Sequence, residues 1–177
     1  LLLFSIMAKA QMYNPIKWKT NVQKVSDTEY ELQAKATIES GWHLYSQSVA
    51  DGGPIPTHFT FPKNPDFQLI GKMKEEKGKT INDPVFKMQI KFFEKETTFK
   101  QRIKVLATKP FQIKVEVEFM VCNDENCLPP TYDELLFNVT PTAKTADSEE
   151  IIKETVVEVI KAETADITTK VEIETDT

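Results

Sequence analysis

The sequence has few of the side chains on which most enzymes and metal proteins depend. Its 177 residues include two cysteines, two histidines and five glycines. We find no glycine-rich phosphate loop, no Ser-His-Asp order and no pair of carboxylates with the spacing of a hydrolase. The sequence therefore favours none of the common hydrolytic or nucleotide-dependent classes.

Long apolar runs and clusters of positive charge are also absent. No apolar run reaches the roughly 18 residues that a membrane-spanning helix needs. The 22 Lys and Arg are scattered among 27 Asp and Glu, for a net charge of −5, so the sequence does not predict nucleic-acid binding. With 40% hydrophobic and 28% charged residues, the composition is that of a globular domain with its own core.

The two ends of the chain differ from its middle. Residues 1–10 join a short apolar run to Ala8 and Ala10, which is typical of the end of a secretory signal peptide; an N-terminal strand is the alternative. Residues 141–177 are rich in Thr, Glu, Lys and Ala and lack aromatics, so we interpret them as a flexible tail or linker. A domain of residues 11–140 lies between them. Secretion predicts a periplasmic or cell-envelope location, where a disulfide persists, and the tail would tether the domain in a longer parent chain.

Residues 13–140 have the pattern of many short β-strands. Apolar and polar residues alternate over residues 30–39 and again over residues 111–121, as expected for half-buried strands. No helical pattern interrupts the series, so the sequence predicts an all-β antiparallel sandwich. Turn residues separate the other strands that we expect, at residues 42–45, 58–61, 67–70, 85–93 and 97–106.

The two cysteines flank a polar loop. Cys122 follows the strand that ends at Val121, and Cys127 precedes a pair of prolines and a predicted strand over residues 132–139. Facing positions across an antiparallel hairpin lie about 4.5–5.5 Å apart, which suits a disulfide. We therefore expect that Cys122 and Cys127 are able to pair.

Two roles are open for such a bond. A structural staple is the ordinary role in secreted domains, but a loop this short contributes only about 2 kcal/mol in the chain-entropy model. By alternation, Cys122 should lie on the outward face, opposite to Val121 and beside Met120, where a partner could dock. These features favour thiol–disulfide exchange, in which a partner's thiolate attacks one sulfur. We expect that sulfur to belong to Cys127, because the edge-forming prolines follow it.

This segment resembles the N-terminal periplasmic domain of the thiol:disulfide interchange protein DsbD family. Cys122, Cys127, Pro129 and Pro130 match the family's cysteine hairpin and the Pro-Pro stretch after it. Residues 41–45, Gly-Trp-His-Leu-Tyr, resemble its aromatic strand near the cysteines. The chain has one residue fewer between the cysteines than the usual family pattern.

The resemblance covers Ile16 to Val139 and implies an immunoglobulin-like fold for the sandwich. It implies that Cys122 and Cys127 pass electrons between a membrane-embedded thiol-redox domain and envelope thioredoxin-like proteins, in processes that include cytochrome c biogenesis. The activity would be that of a protein-disulfide reductase or interchange component. No cofactor, metal, nucleic acid or small-molecule substrate is implied.

The resemblance also implies a cap loop that shields the cysteines until a partner docks. Residues 82–86 match it, with Asp83 in the loop and Phe86 as the shielding ring. Phe86 could equally be a core residue of its own strand. We expect His43 as a polar neighbour of the cysteines, and Tyr45 as a core or cap-packing ring.

Two other functions compete with exchange. The first is a binding module with a structural disulfide, which would use the loop from Ser48 to Pro56 as its binding edge. The second is a zinc-stabilised module, in which the two cysteines would join His43 and His58.

The acidic loop residues Asp124 and Glu125 lead to a first prediction. Negative charge beside a thiolate raises the thiol pKa. In the reduced protein we therefore expect both thiols to titrate above the ordinary cysteine value, as measured by the pH dependence of alkylation. A thiol pKa at or below about 7, as in activated oxidoreductase cysteines, would contradict this.

Overall fold

The computed structural model describes residues 13–84 and 86–142, and these residues form strands, turns and loops without any helix. No helix in this part of the chain therefore has the length and hydropathy required to cross a bilayer. The strands are β1 (Ile16–Lys24), β2 (Glu29–Ile38), β3 (His43–Tyr45), β4 (His58–Thr60), β5 (Phe67–Lys74), β6 (Lys79–Asp83), β7 (Met88–Phe93), β8 (Glu96–Val105), β9 (Phe111–Phe119), β10 (Val121–Cys122) and β11 (Thr131–Val139).

One layer of the sandwich is a four-stranded antiparallel sheet in the order β1-β2-β8-β5. Its β2 strand confirms the predicted alternation, because every second residue is buried while those between are partly or fully exposed. The buried residues of β2 are Tyr30, Leu32, Ala34, Ala36 and Ile38.

The other layer contains a three-stranded sheet in the order β11-β9-β4 and a second four-stranded sheet in the order β10-β3-β7-β6. The predicted apolar face of β9 is confirmed, since Ile113, Val115, Val117 and Phe119 are fully buried. These residues and the inward face of the β1-β2-β8-β5 sheet form one large hydrophobic core. The immunoglobulin-like antiparallel sandwich is thus confirmed.

The strand predicted to run unbroken to Val121 is interrupted. β9 ends at Phe119, and after Met120 the chain continues as β10, which pairs with β3 in a different sheet. Val121 still enters the main core. The alternation therefore continues across a change of sheet, which a pattern of burial alone does not reveal.

The prediction of a strand over residues 85–93 is wrong at its start. Lys79–Asp83 and Met88–Phe93 form an antiparallel hairpin, and Pro84, Phe86 and Lys87 belong to the turn between them. Pro84 supplies no main-chain donor, which helps to end the first strand there. Lys87 has a φ of 55°, a left-handed conformation suited to a tight turn.

The sandwich lies within residues 13–142. The predictions of a signal-peptide remnant at residues 1–10 and of a tail at residues 141–177 fall almost wholly outside the described residues.

Candidate functional site

A disulfide closes the tip of the hairpin between β9 and β11. Cys122 and Cys127 are five residues apart, form an isolated antiparallel bridge and have Cα atoms 4.0 Å apart. Asn123 shapes the loop between them, because its Oδ1 accepts hydrogen bonds from the main-chain N–H groups of Glu125, at 2.9 Å, and Asn126, at 2.7 Å. The predicted pairing of the two cysteines is confirmed.

The two cysteines of this bond differ in their exposure to solvent. Cys122 is only 4% exposed, whereas Cys127 is exposed. The prediction that Cys122 lies on an open outward face is therefore wrong. It does lie on the opposite side of the chain from Val121, but that side is covered by a second apolar cluster.

This second cluster joins residues from four parts of the chain. Its buried members are Tyr45, Ile90, Phe92 and Cys122, and the residues packed against them are Val49, Phe86, Met88 and Met120. The alternation of Met88, Ile90 and Phe92 along β7 was the signal that sequence reasoning missed. Phe93, the next residue, enters the main core instead. The sheet that carries the cysteine is thus buried on both faces.

His43 lies directly across the β3–β10 ladder from Cys122. Its ring centroid is 4.6 Å from that of Phe92, and its Nε2 lies 3.4 Å from Oε1 of Glu94. Glu94 also forms an ion pair with Lys79. The predicted polar neighbour of the cysteines is therefore beside Cys122, and it belongs to a charged group that the sequence did not indicate.

Tyr45 and Asp83 meet on the same side of the sheet. Tyr45 is 5% exposed and lies in the cluster with Cys122. Burial raises the pKa of the Tyr45 hydroxyl, and the negative charge of Asp83 raises it further. Asp83 Oδ1 in turn accepts a hydrogen bond of 3.0 Å from the main-chain N–H of Phe86. Asp83 therefore joins the turn to the cluster.

Phe86 lies in this turn and not in a strand, so the alternative that it is a core residue of its own strand is wrong. Its half-buried ring packs against the second cluster. The structure thus brings Phe86, Asp83, Tyr45 and His43 together around Cys122.

Of the remaining candidate residues, some lie near the cysteines and one lies elsewhere. The loop from Ser48 to Pro56 is part of the same neighbourhood, because Val49 packs against the second cluster. A Cβ added at Gly53 would lie 2.7 Å from the side chain of Val49 and 3.2 Å from that of Met88. His58 lies elsewhere, exposed on β4 opposite Glu118. Within residues 13–84 and 86–142, no group of three or more His, Cys, Asp or Glu could hold a metal ion.

A polar network that sequence reasoning missed supports the far end of β3. Glu75, whose side chain is 12% exposed, accepts hydrogen bonds from Ser46 Oγ at 2.5 Å, from Gln47 N–H at 2.8 Å and from Lys91 Nζ at 2.9 Å. Burial raises the pKa of Glu75, but the bonds from Lys91, Ser46 and Gln47 outweigh it, so the pKa lies below the ordinary value. Glu75 therefore fixes the chain that leads from Tyr45 to Val49.

Fold and site together define a class of protein, an immunoglobulin-like β-sandwich that carries a disulfide at the tip of a hairpin. The family described as thiol:disulfide interchange protein DsbD, N-terminal, matches residues 14–139. The chain belongs to this family. Proteins of the family take part in thiol–disulfide exchange. No curated protein matches the sequence.

Several solved structures are similar to this chain, among them these three. The N-terminal periplasmic domain of ScsB from Proteus mirabilis is 13% identical with a TM-score of 0.52, over 85% of this chain and 56% of that one. The reduced DsbD N-terminal domain from Neisseria meningitidis is 15% identical, with a TM-score of 0.47, over 71% and 90% of the two chains. A complex of the DsbD and PilB N-terminal domains from Neisseria meningitidis matches at 14% identity, with a TM-score of 0.46, over 72% and 89%. The ScsB likeness supports the fold.

The Glu75 network gives a prediction on stability. In Glu75→Gln the charged acceptor of three hydrogen bonds is lost, so we expect the free energy of unfolding near pH 7 to fall by about 1–3 kcal/mol. Because the pKa of Glu75 is lowered by folding, its contribution is present above the unfolded-state pKa and is lost as the pH falls through the folded-state pKa. The difference between the variant and the wild type should therefore shrink as the pH is lowered into the acidic range, as measured by urea denaturation. A difference that is independent of pH would contradict the role of the charge.

Proposed function

We propose that this domain carries electrons by thiol–disulfide exchange through Cys122 and Cys127. The observation that carries the proposal is the contrast between the two cysteines, since Cys127 is exposed and Cys122 is buried in the second apolar cluster. An exposed cysteine gives a partner a single point of attack, and burial keeps thiols of other proteins away from the second cysteine. A structural staple requires no such contrast.

In the proposed reaction the thiolate of a dithiol partner attacks Sγ of Cys127. A mixed disulfide forms, the bond between Cys122 and Cys127 breaks, and the electron pair leaves on Sγ of Cys122, which takes up a proton. The partner's second thiolate then attacks the partner's own sulfur and releases Cys127. The partner is oxidised to a disulfide, and the domain gains two electrons and two protons. The reverse sequence passes these electrons to the next protein.

Membership of the DsbD family supports the choice of partners. We propose a membrane-embedded thiol-redox domain on one side of the exchange and envelope thioredoxin-like proteins on the other, in the periplasm. An oxidising compartment of this kind suits a disulfide that is renewed by exchange. Both classes of partner present a reactive thiol to the exposed Cys127.

The turn that contains Phe86 supports a further part of the proposal, namely a cover that a partner displaces. Phe86 packs against the cluster around Cys122, and Asp83 holds the turn through the main-chain N–H of Phe86. Such a cover is joined to the sandwich by a short hairpin, so it can move without disturbance of the main core. The proposed role of the Phe86 ring is to shield the disulfide between encounters.

The reduction potential distinguishes exchange from a staple. We expect a value above about −300 mV, in the range of exchange proteins, because structural disulfides of secreted proteins generally lie below it. The protein is equilibrated in thiol buffers of known potential, and alkylated cysteines are counted by mass. A value well below this range would favour the binding module with a structural disulfide.

The single-cysteine variants test which sulfur a partner reaches. In Cys122→Ser, the exposed Cys127 should react with a disulfide reagent such as Ellman's reagent about tenfold faster or more than Cys122 does in Cys127→Ser, because burial hinders access and raises the thiol pKa. The two variants are matched controls, since each loses the same disulfide. Equal rates, or faster reaction of Cys122, would contradict attack at Cys127.

A further inference from the structure

The buried sulfur has a difficulty that the exposed one does not. When Cys127 is attacked, the electron pair departs on Cys122, which is 4% exposed and surrounded by Tyr45, Ile90 and Phe92. An apolar environment disfavours a thiolate because the negative charge loses its hydration. A proton or a positive charge at Cys122 would therefore ease the opening of the bond.

The titratable residue opposite Cys122 on the neighbouring strand is His43. It is the ladder partner of Cys122, and directly opposed residues of an antiparallel pair project to the same face with Cβ atoms about 4.5–5.5 Å apart. The contact between the rings of His43 and Phe92 places the imidazole on the face of the second cluster. The side chain is 24% exposed, so it can exchange a proton with water.

The charged groups around His43 come from three elements. Glu94, after β7, contacts Nε2 of His43, and Lys79 on β6 forms an ion pair with the same carboxylate. Lys79 is the main cause that lowers the pKa of Glu94, with a smaller contribution from His43 and against a rise from burial. On the same face, Tyr45 lies two residues along β3, and Asp83 lies near its hydroxyl.

This arrangement orients the imidazole, because the Glu94 carboxylate contacts Nε2. Nδ1 takes no part in that contact, and the strand next to His43 carries Cys122. A carboxylate that orients a histidine beside a sulfur is a recurring arrangement in cysteine chemistry.

We propose that His43 is the acid that donates a proton to Sγ of Cys122 as the disulfide opens, and that Glu94 positions it. The inference rests on the proposed exchange function. As the partner's thiolate bonds to Cys127, the Cys122–Cys127 bond breaks and its electron pair on Cys122 takes the proton from the imidazolium. The neutral imidazole then regains a proton from water.

The same residue acts in the opposite direction. When the reduced domain has formed a mixed disulfide through Cys127, neutral His43 accepts the proton of the Cys122 thiol. The resulting thiolate attacks Cys127, the disulfide reforms, and the partner leaves as a thiolate that is protonated by solvent. One ionisable group therefore serves both the opening and the closing of the bond.

The test is the pH profile of disulfide opening by 2-mercaptoethanol, a neutral thiol, with the rate expressed per thiolate. Histidine changes charge between about pH 5 and 8, so in the wild type the rate should rise about threefold or more as the pH falls through this range. His43→Gln should give a flat profile. The chain provides a matched control in His58→Gln, since His58 is exposed on β4 opposite Glu118, and this variant should keep the rise.

A second variant tests Glu94. Glu94→Gln removes the carboxylate that contacts Nε2 of His43, so the imidazole is less well oriented and the rise should be smaller than in the wild type. Thermal unfolding and the disulfide content establish that each variant is folded. A rise that persists in His43→Gln would assign the ionisation to another group, a rise of unchanged size in Glu94→Gln would remove the positioning role, and either result would overturn the proposal.

The two proposals fail separately. The reduction potential decides whether the bond is suited to exchange, and it does not depend on how the proton reaches Cys122. If the reduction potential excludes a carrier, the pH profile still tests whether His43 donates a proton when the disulfide opens. A flat wild-type profile overturns the role of His43 and leaves the exchange function in place.

Discussion

Burial of both faces of the sheet at Cys122 is the constraint on which the site depends. The chain leaves one sheet at Phe119 and enters another at Val121, so Val121 fills the main core while Cys122 faces the second cluster. The disulfide consequently joins a sulfur in an apolar environment to one at the surface. The proposed reactivity of Cys127 and the proposed protection of Cys122 rest on this single arrangement, because solvent access and thiolate stability both depend on burial.

The sandwich was predictable because its signal is local. Alternation over residues 30–38 and 111–119 defines a buried face within each strand, without knowledge of the partner strand. The second cluster was not predictable, because its cover joins Val49 to Phe86 and Met88, which lie in a distant part of the sequence. The β6 strand was missed for a related reason. Most of its residues are exposed, so it has no alternating pattern, and its pairing with β7 defines it.

In the candidate site, too, the sequence predicted some features and not others. The spacing of Cys122 and Cys127 and the turn signals around them predicted their pairing, and the resemblance to the DsbD family indicated His43, Tyr45, Asp83 and Phe86 as neighbours. The groups that hold these residues were not indicated. Ser46 and its hydrogen-bond partner Glu75 are 29 positions apart. A pairing at that distance depends on the closed fold and leaves no periodic trace in the sequence.

The charges of the site follow from the same separation of environments. Asp124 and Glu125 are exposed on the loop that the disulfide closes, where water screens them and where they oppose an approaching thiolate only modestly. On the inner side, Glu94 contacts His43, the ladder partner of the buried Cys122. In the proposed exchange, His43 and Glu94 therefore act at Cys122, and the acidic loop acts on the partners that approach Cys127.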